Sequence, residues 1–299
     1  MIELGADVNA ASRHFGTPLE CACWRAGTEL VKLLLERGAD VNISTPQPDG
    51  DHLWPQTVLC VEVEGVARKA KRLLWDSAYQ QAHELEIEPA SMELLEIILR
   101  QGVDVDARAG MRTGCNHDGA VFSLETPLTY AFSFLPGVAA MLLEYGADPN
   151  IEGSSYTPLH YVCMAYDPSL NHMQALLTAG ADVNAGEQTG SATPLQLLTH
   201  WSECMEAAAI LLAAGAHVKS TADCQDYASA VYAAGYYQDM DMVSLLLAHG
   251  ADALEAELGL QAALVPPLVL PPIPCYSELS TRSEISSLDD LSPAESHLL

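Results

Sequence analysis

The side chains best suited to chemistry in this chain stand in three small groups. Cys115-Asn116-His117-Asp118 sets three types of metal ligand almost side by side. A zinc site asks for paired ligands at C-x2-4-C or H-x3-5-H spacing. No second pair follows, so this segment reads as a polar loop. Cys21-Ala22-Cys23 places two thiols at i and i+2, which on a helix points them to different faces and suits neither a metal nor a redox pair. His200-Trp201 and Cys204 bring an imidazole near a thiol, but they lack the strand-to-helix elbow that exposes a nucleophile. Neither a glycine-rich phosphate loop nor an H-E-x-x-H helix occurs. The expectation is a non-enzyme, with no catalytic residue, no metal site and no cofactor.

What would position such residues is a word written repeatedly along the chain. Gly-Ala-Asp-Val-Asn stands at 5–9, 38–42 and 180–184, with variants starting at Gly102, Gly146, Gly215 and Gly250. The steps between these glycines are 33, 64, 44, 34, 35 and 35 residues. A period near 33 marks a stacked-repeat architecture. About 21 residues before the glycine comes a second word: TPLE at Thr17, TPLT at Thr126, TPLH at Thr157 and TPLQ at Thr193. Thr before Pro starts a helix, because the hydroxyl caps free N–H groups and Pro is tolerated at the first helical position. In the helix that follows, Leu159, Val162 and Cys163 share one face. A second helix ends in a leucine run, and the glycine just past it takes the left-handed C-cap conformation. Asp-Val-Asn then turns the chain back. Six helix pairs are predicted, from Thr17, Thr57, Thr126, Thr157, Thr193 and Ser229. Thr57 lacks the Pro, and Ser229 lacks both Thr and Pro but keeps the register.

Two words in fixed order resemble the ankyrin repeat over residues 1–253, and Thr157–His160 match its Thr-Pro-Leu-His signature. The resemblance implies an all-α solenoid of stacked helix-turn-helix units with β-hairpin-like finger loops. It also implies a structural, hydrogen-bonding role for His160. Such arrays are non-catalytic protein-binding scaffolds that use finger tips and the concave face of the first helices. Carried over by position, this nominates Arg13 and His14; Asp49, Asp51, His52 and Trp54; Arg108, Met111 and Arg112; His117 and Asp118; Glu152 and Tyr156; Glu187 and Gln188; and Asp226 and Tyr227.

Composition narrows the partner. Lys and Arg number 13 against 40 Asp and Glu, a net charge of −27. Such a surface repels phosphate backbones and anionic lipids, so neither nucleic acid nor membrane is expected, and a basic protein partner is favoured. No apolar run reaches the length of a spanning helix. Eight Cys at irregular spacing in a chain that is 49% hydrophobic read as reduced, mostly buried thiols of a cytoplasmic protein. Arg68-Lys69-Ala70-Lys71-Arg72 reads as a solvated helix face among nearby acids, with a nuclear import signal as the second reading. Residues 1–16 read as the end of one repeat and its finger, with no helix pair before them. The first complete pair is then expected to show its apolar side. A longer array, an upstream start, an unusual cap or a covering partner would each account for this.

Insertions interrupt the period. Asn42 to Thr57 spans 15 residues and Asp106 to Thr126 spans 20, where the regular units take 7 to 9. Segments 43–56 and 107–125 are therefore two enlarged, irregular fingers adjacent in the stack, and they carry Trp54, Met111 and Phe122 among acids. Between them, the pair from Thr57 is too long by an excess near 65–90, part of it an extended helix. Residues 254–265 read as a further helix over the last pair. A Pro-rich run and a Ser/acidic tail at 266–299 read as disordered. Two alternatives to the scaffold reading stand. One is a regulatory or recognition array cut from a larger multidomain protein. The other, implied by the resemblance, is a substrate for hydroxylation of the turn asparagines Asn42, Asn150 and Asn184.

Overall fold

The computed structural model describes residues 5–12, 16–25, 27–46, 55–74, 87–116, 119–152, 156–165, 168–189, 191–199, 204–219 and 229–264. Twelve helices run in pairs. They are α1 (Pro18–Trp24) with α2 (Thr28–Glu36), α3 (Val58–Leu74) with α4 (Pro89–Leu99), and α5 (Pro127–Phe134) with α6 (Pro136–Glu144). The remaining pairs are α7 (Pro158–Met164) with α8 (Leu170–Thr178), α9 (Pro194–Leu198) with α10 (Met205–Ala213), and α11 (Ala230–Tyr236) with α12 (Met240–Ala248). A thirteenth helix, α13 (Ala253–Ala263), follows.

Each Thr-Pro word closes a reciprocal cap. The Thr17 hydroxyl accepts the Glu20 N–H, and the Glu20 carboxylate accepts the Thr17 N–H at 2.7 Å. Thr126 and Thr129 do the same, as do Thr193 and Gln196. Two free N–H groups are satisfied at each helix start, the pattern of a capping box. Where the word is damaged, the cap survives in part: the Thr57 hydroxyl accepts from Cys60 and the Ser229 hydroxyl from Tyr232. At the other end, Gly38 and Gly180 stand at φ +83° and +92° just past α2 and α8, where a side chain would be strained.

First helices form one row, with α1 on α3, α3 on α5, and so on through α7, α9 and α11 to α13. Second helices form the other, with α2 touching α4, α6 touching α8, and α8, α10 and α12 following in contact. The core lies between the rows in two apolar clusters bridged by Phe132 and Leu143. Leu159, Val162 and Cys163 are all buried in it, as their spacing requires. On the first pair, Trp24, Leu30 and Leu33 face water. α3 is far longer than the other first helices, at 17 residues; 75–86 and the side chains of 67–74 lie outside what is described.

The enlarged fingers take the hairpin form that the resemblance implied, more regular than their length alone suggests. β1 (Thr45–Pro46) pairs with β2 (Pro55–Gln56), and β3 (Ala109–Asn116) pairs antiparallel with β4 (Gly119–Glu125). The longer ladder runs from Ala109 opposite Glu125 to Asn116 opposite Gly119, with one bulge between Arg112 and Gly114. Its legs are nearly equal in length, and β4 holds the strand formers Val121, Phe122 and Leu124. β2 touches β3, so the two hairpins stand side by side.

Candidate functional site

The finger edge is built on a ladder of turn side chains. In the first turn, Asn9 accepts the N–H of Asp40 at 2.9 Å and donates to the carbonyl of Gly38 at 3.3 Å. Asn42 repeats this with Asp104 and Gly102, Asn150 with Asp182 and Gly180, and Asn184 with His217 and Gly215. A carboxamide suits the task because it is donor and acceptor at once. The Asp two residues before each Asn has a separate role: its carboxylate accepts the N–H two residues ahead, at 2.8–3.1 Å in five turns. Reading Asp-Val-Asn only as a turn missed that its Asn bonds to the next unit. The Asp-x-Asn spacing, recurring at the repeat period, was the available signal.

The third turn departs from this pattern. Asp106 stands where Asn is expected and accepts the Asp148 N–H at 3.0 Å. Partial burial and the neighbouring acids Asp148 and Asp104 raise its carboxyl above the ordinary range.

His160 ties two units together. Its Nε2 lies 3.2 Å from the Ala185 carbonyl and 3.0 Å from that of Ala192, so Nε2 carries the proton. Nδ1 is then free to accept from the N–H of Thr157 at 3.2 Å. Burial holds the ring neutral, lowering its pKa to about 4. The side chain completes a helix cap and pins the following finger, the structural role the Thr-Pro-Leu-His resemblance implied.

Residues 16–46 match the family model of the ankyrin repeat. They hold the α1 cap, the helix pair, the left-handed Gly38 and the Asn42 turn. This segment is similar to an ankyrin repeat. No curated protein matches it. Ankyrin repeats are protein-interaction modules, so the nominated contact residues are weighed on that footing.

The Arg108 guanidinium donates to the Glu152 carbonyl and joins the third finger to the fourth. The Glu187 carboxylate meets His217 Nδ1 at 2.8 Å, joining the fifth to the sixth, and Gln188 is exposed. Tyr156 must be corrected. It is only 8% exposed, with its ring 5.1 Å from His160 and edge-on to Tyr161 at 6.4 Å, so it packs the stack rather than meeting a partner. The residue before the Thr cap turns inward because the chain must dive there to start the first helix. Met111 and Arg112 belong to β3 by backbone. Arg13, His14, Asp49, Asp51, His52, Trp54, His117, Asp118, Asp226 and Tyr227 lie outside the described residues.

Among the described residues, no three His, Cys, Asp or Glu gather to hold a metal ion. Cys23, Cys60 and Cys163 are free thiols. Burial pushes the thiols of Cys23, Cys60 and Cys163 upward, Cys60 to about 12, which leaves little of the reactive thiolate. Among the described residues, no helix is long and apolar enough to cross a membrane.

Proposed function

We propose that this ankyrin array is a non-catalytic scaffold inside the cell, and that it captures a basic protein partner along the finger edge of its second and third repeats. The observation that carries the reading is the side-by-side placement of the β1–β2 and β3–β4 hairpins. Extended loops of this length in a regular array are commonly functional. Met111 and Arg112 belong to the first strand of the long hairpin, while Arg108 and Glu152 brace its base. Asp7, Asp40, Asp104, Asp148 and Asp182 repeat one carboxylate per turn beside it. Such a row steers a basic surface toward the edge. Glu187 and Gln188 extend the same edge toward the later fingers.

The test shortens segments 43–56 and 107–125 to about eight residues each, the length of the regular units. The trimmed array should keep its helical circular dichroism and lose the proteins that the parent captures in proximity labelling. Recovery of the same set by the trimmed array would move the site to the concave face of the first helices.

A further inference from the structure

Among the described residues, the last helix has the sequence position of a first helix, and no second helix follows it as one follows every other first helix. Two residues after the cap, Leu19, Leu59, Leu128, Leu159, Leu195 and Val231 are all at most 1% exposed. Leu254 holds the same place after its cap, Asp252, and is 62% exposed; Leu258, one turn on, is 47% exposed. The neighbouring second helix tells the same story. A Leu stands three residues before each helix-ending Gly. Leu99 and Leu212 are buried there, and Leu35, Leu143 and Leu177 half-buried, whereas Leu247 is 37% exposed. Met240, two turns back on the same face of α12, is exposed as well. α12 and α13 both rest on α11, so Met240, Leu247, Leu254 and Leu258 line a notch where the second helix of a seventh pair would lie. Five of the six second helices in this array are nine residues long.

The charge around the notch selects what fits it. Between Ser220 and Leu264 the sequence has seven Asp or Glu and neither Lys nor Arg. Asp241, Asp252 and Glu257 are exposed on the two helices that form the walls. The chain's own continuation is a poor occupant. Pro266, Pro267, Pro271, Pro272 and Pro274 forbid a helix directly after α13. Beyond them, 275–299 carries five acids against the single Arg282. We propose that this notch docks a short, basic amphipathic helix from a partner protein, which completes the seventh pair in trans. Docking an apolar helix face into a groove is an established recognition mode. Here the groove lies beside α12 and α13, a surface separate from the fingers.

The probe is a fluorescein-labelled, end-capped peptide of about 14 residues, with Leu at i, i+3, i+4 and i+7 and Lys elsewhere. Anisotropy titrations use the full chain at about 0.15 M salt, where long-range charge attraction is screened. Saturable binding is expected, at least tenfold weaker for a scrambled peptide of the same composition. Leu254→Lys with Leu258→Lys should weaken binding at least tenfold while leaving the melting curve unchanged. Met240→Lys, on the opposite wall, should weaken it on its own, which keeps the test decisive if the double variant unfolds early. Equal binding of the scrambled peptide, or full affinity in the variants, would overturn the proposal. So would a tenfold tightening on Leu288→Asp in the full chain, because the tail would then be the occupant.

Discussion

Replacing Asp106 with Asn should stabilise this protein. Four turns carry Asn at the equivalent position, and each makes two hydrogen bonds to the next unit, one received and one donated. An ionised Asp106 receives the Asp148 N–H but has no proton to give the carbonyl of Gly146. The restored donor contributes about 0.5–1.5 kcal/mol net. Removing a carboxylate that sits partly buried between Asp104 and Asp148 adds to the gain. A gain of about 0.5–1.5 kcal/mol is expected at pH 7, read as a higher urea midpoint by circular dichroism with an unchanged slope. The pH dependence identifies the cause. Folding raises this carboxyl above its ordinary 3.8, so the folded state binds the proton better than the unfolded state. The cost of Asp106 is therefore absent below 3.8 and grows as pH rises through the folded-state value. The advantage of Asn should be largest at pH 7 and shrink toward pH 4, where a protonated Asp106 can itself donate. An unchanged or lower midpoint at pH 7 would refute the ladder argument. An equal gain at both pH values would refute its electrostatic half.

Three other outcomes are expected. Leu246→Ala and Leu34→Ala, both in the inter-repeat core, should each cost about 2–5 kcal/mol in urea denaturation, whereas a cost below about 0.5 kcal/mol at both sites would place the helix faces wrongly. His160→Gln should keep the helix cap, as Gln196 does in its own repeat, and lose the bridge to Ala185 and Ala192. Because burial lowers the His160 pKa from 6.5 to about 4, its stabilisation is whole above 6.5 and fades as pH falls toward 4. The parent should lose about 3 kcal/mol more than the Gln variant over that window, seen in parallel urea titrations. Gly259→Ala should displace α13, since a Cβ there runs into the Tyr232 carbonyl, and a Cβ at the facing Gly235 would lie 2.6 Å from the carbonyl of Ala256. Hydrogen exchange in α11 should accelerate, and wild-type protection would show that the helices can separate freely.

What the sequence revealed and what it hid divide by the range of the interaction. Thr17, Thr126, Thr157 and Thr193 announce their helices because a cap is complete within four residues. Gly38 and Gly180 announce the stops for the same reason. The β3–β4 hairpin was half legible: a Gly-rich, polar insertion reads as a loop, while strand formers gather only in its second leg. Tyr156 was misassigned because an aromatic residue beside a finger looks like an anchor until the rings of His160 and Tyr161 are seen around it. The bonds of Asn9, Asn42, Asn150 and Asn184 reach 29 to 62 residues along the chain, so no local pattern can display them.

The same ladder shows where the array changes character. In the sixth turn the Asn position is held by Lys219, an ammonium that has no oxygen with which to accept a neighbour's N–H. The acid of the following word, Asp252, caps α13 by accepting the N–H of Leu254 at 2.9 Å. With no carboxamide to fasten a seventh finger, the chain enters α13 at residue 253, directly after the turn. α13 closes onto α11 through Gly235 and Gly259. One residue type at position 219 thus accompanies both the loss of the finger edge and the exposure of Met240, Leu247, Leu254 and Leu258.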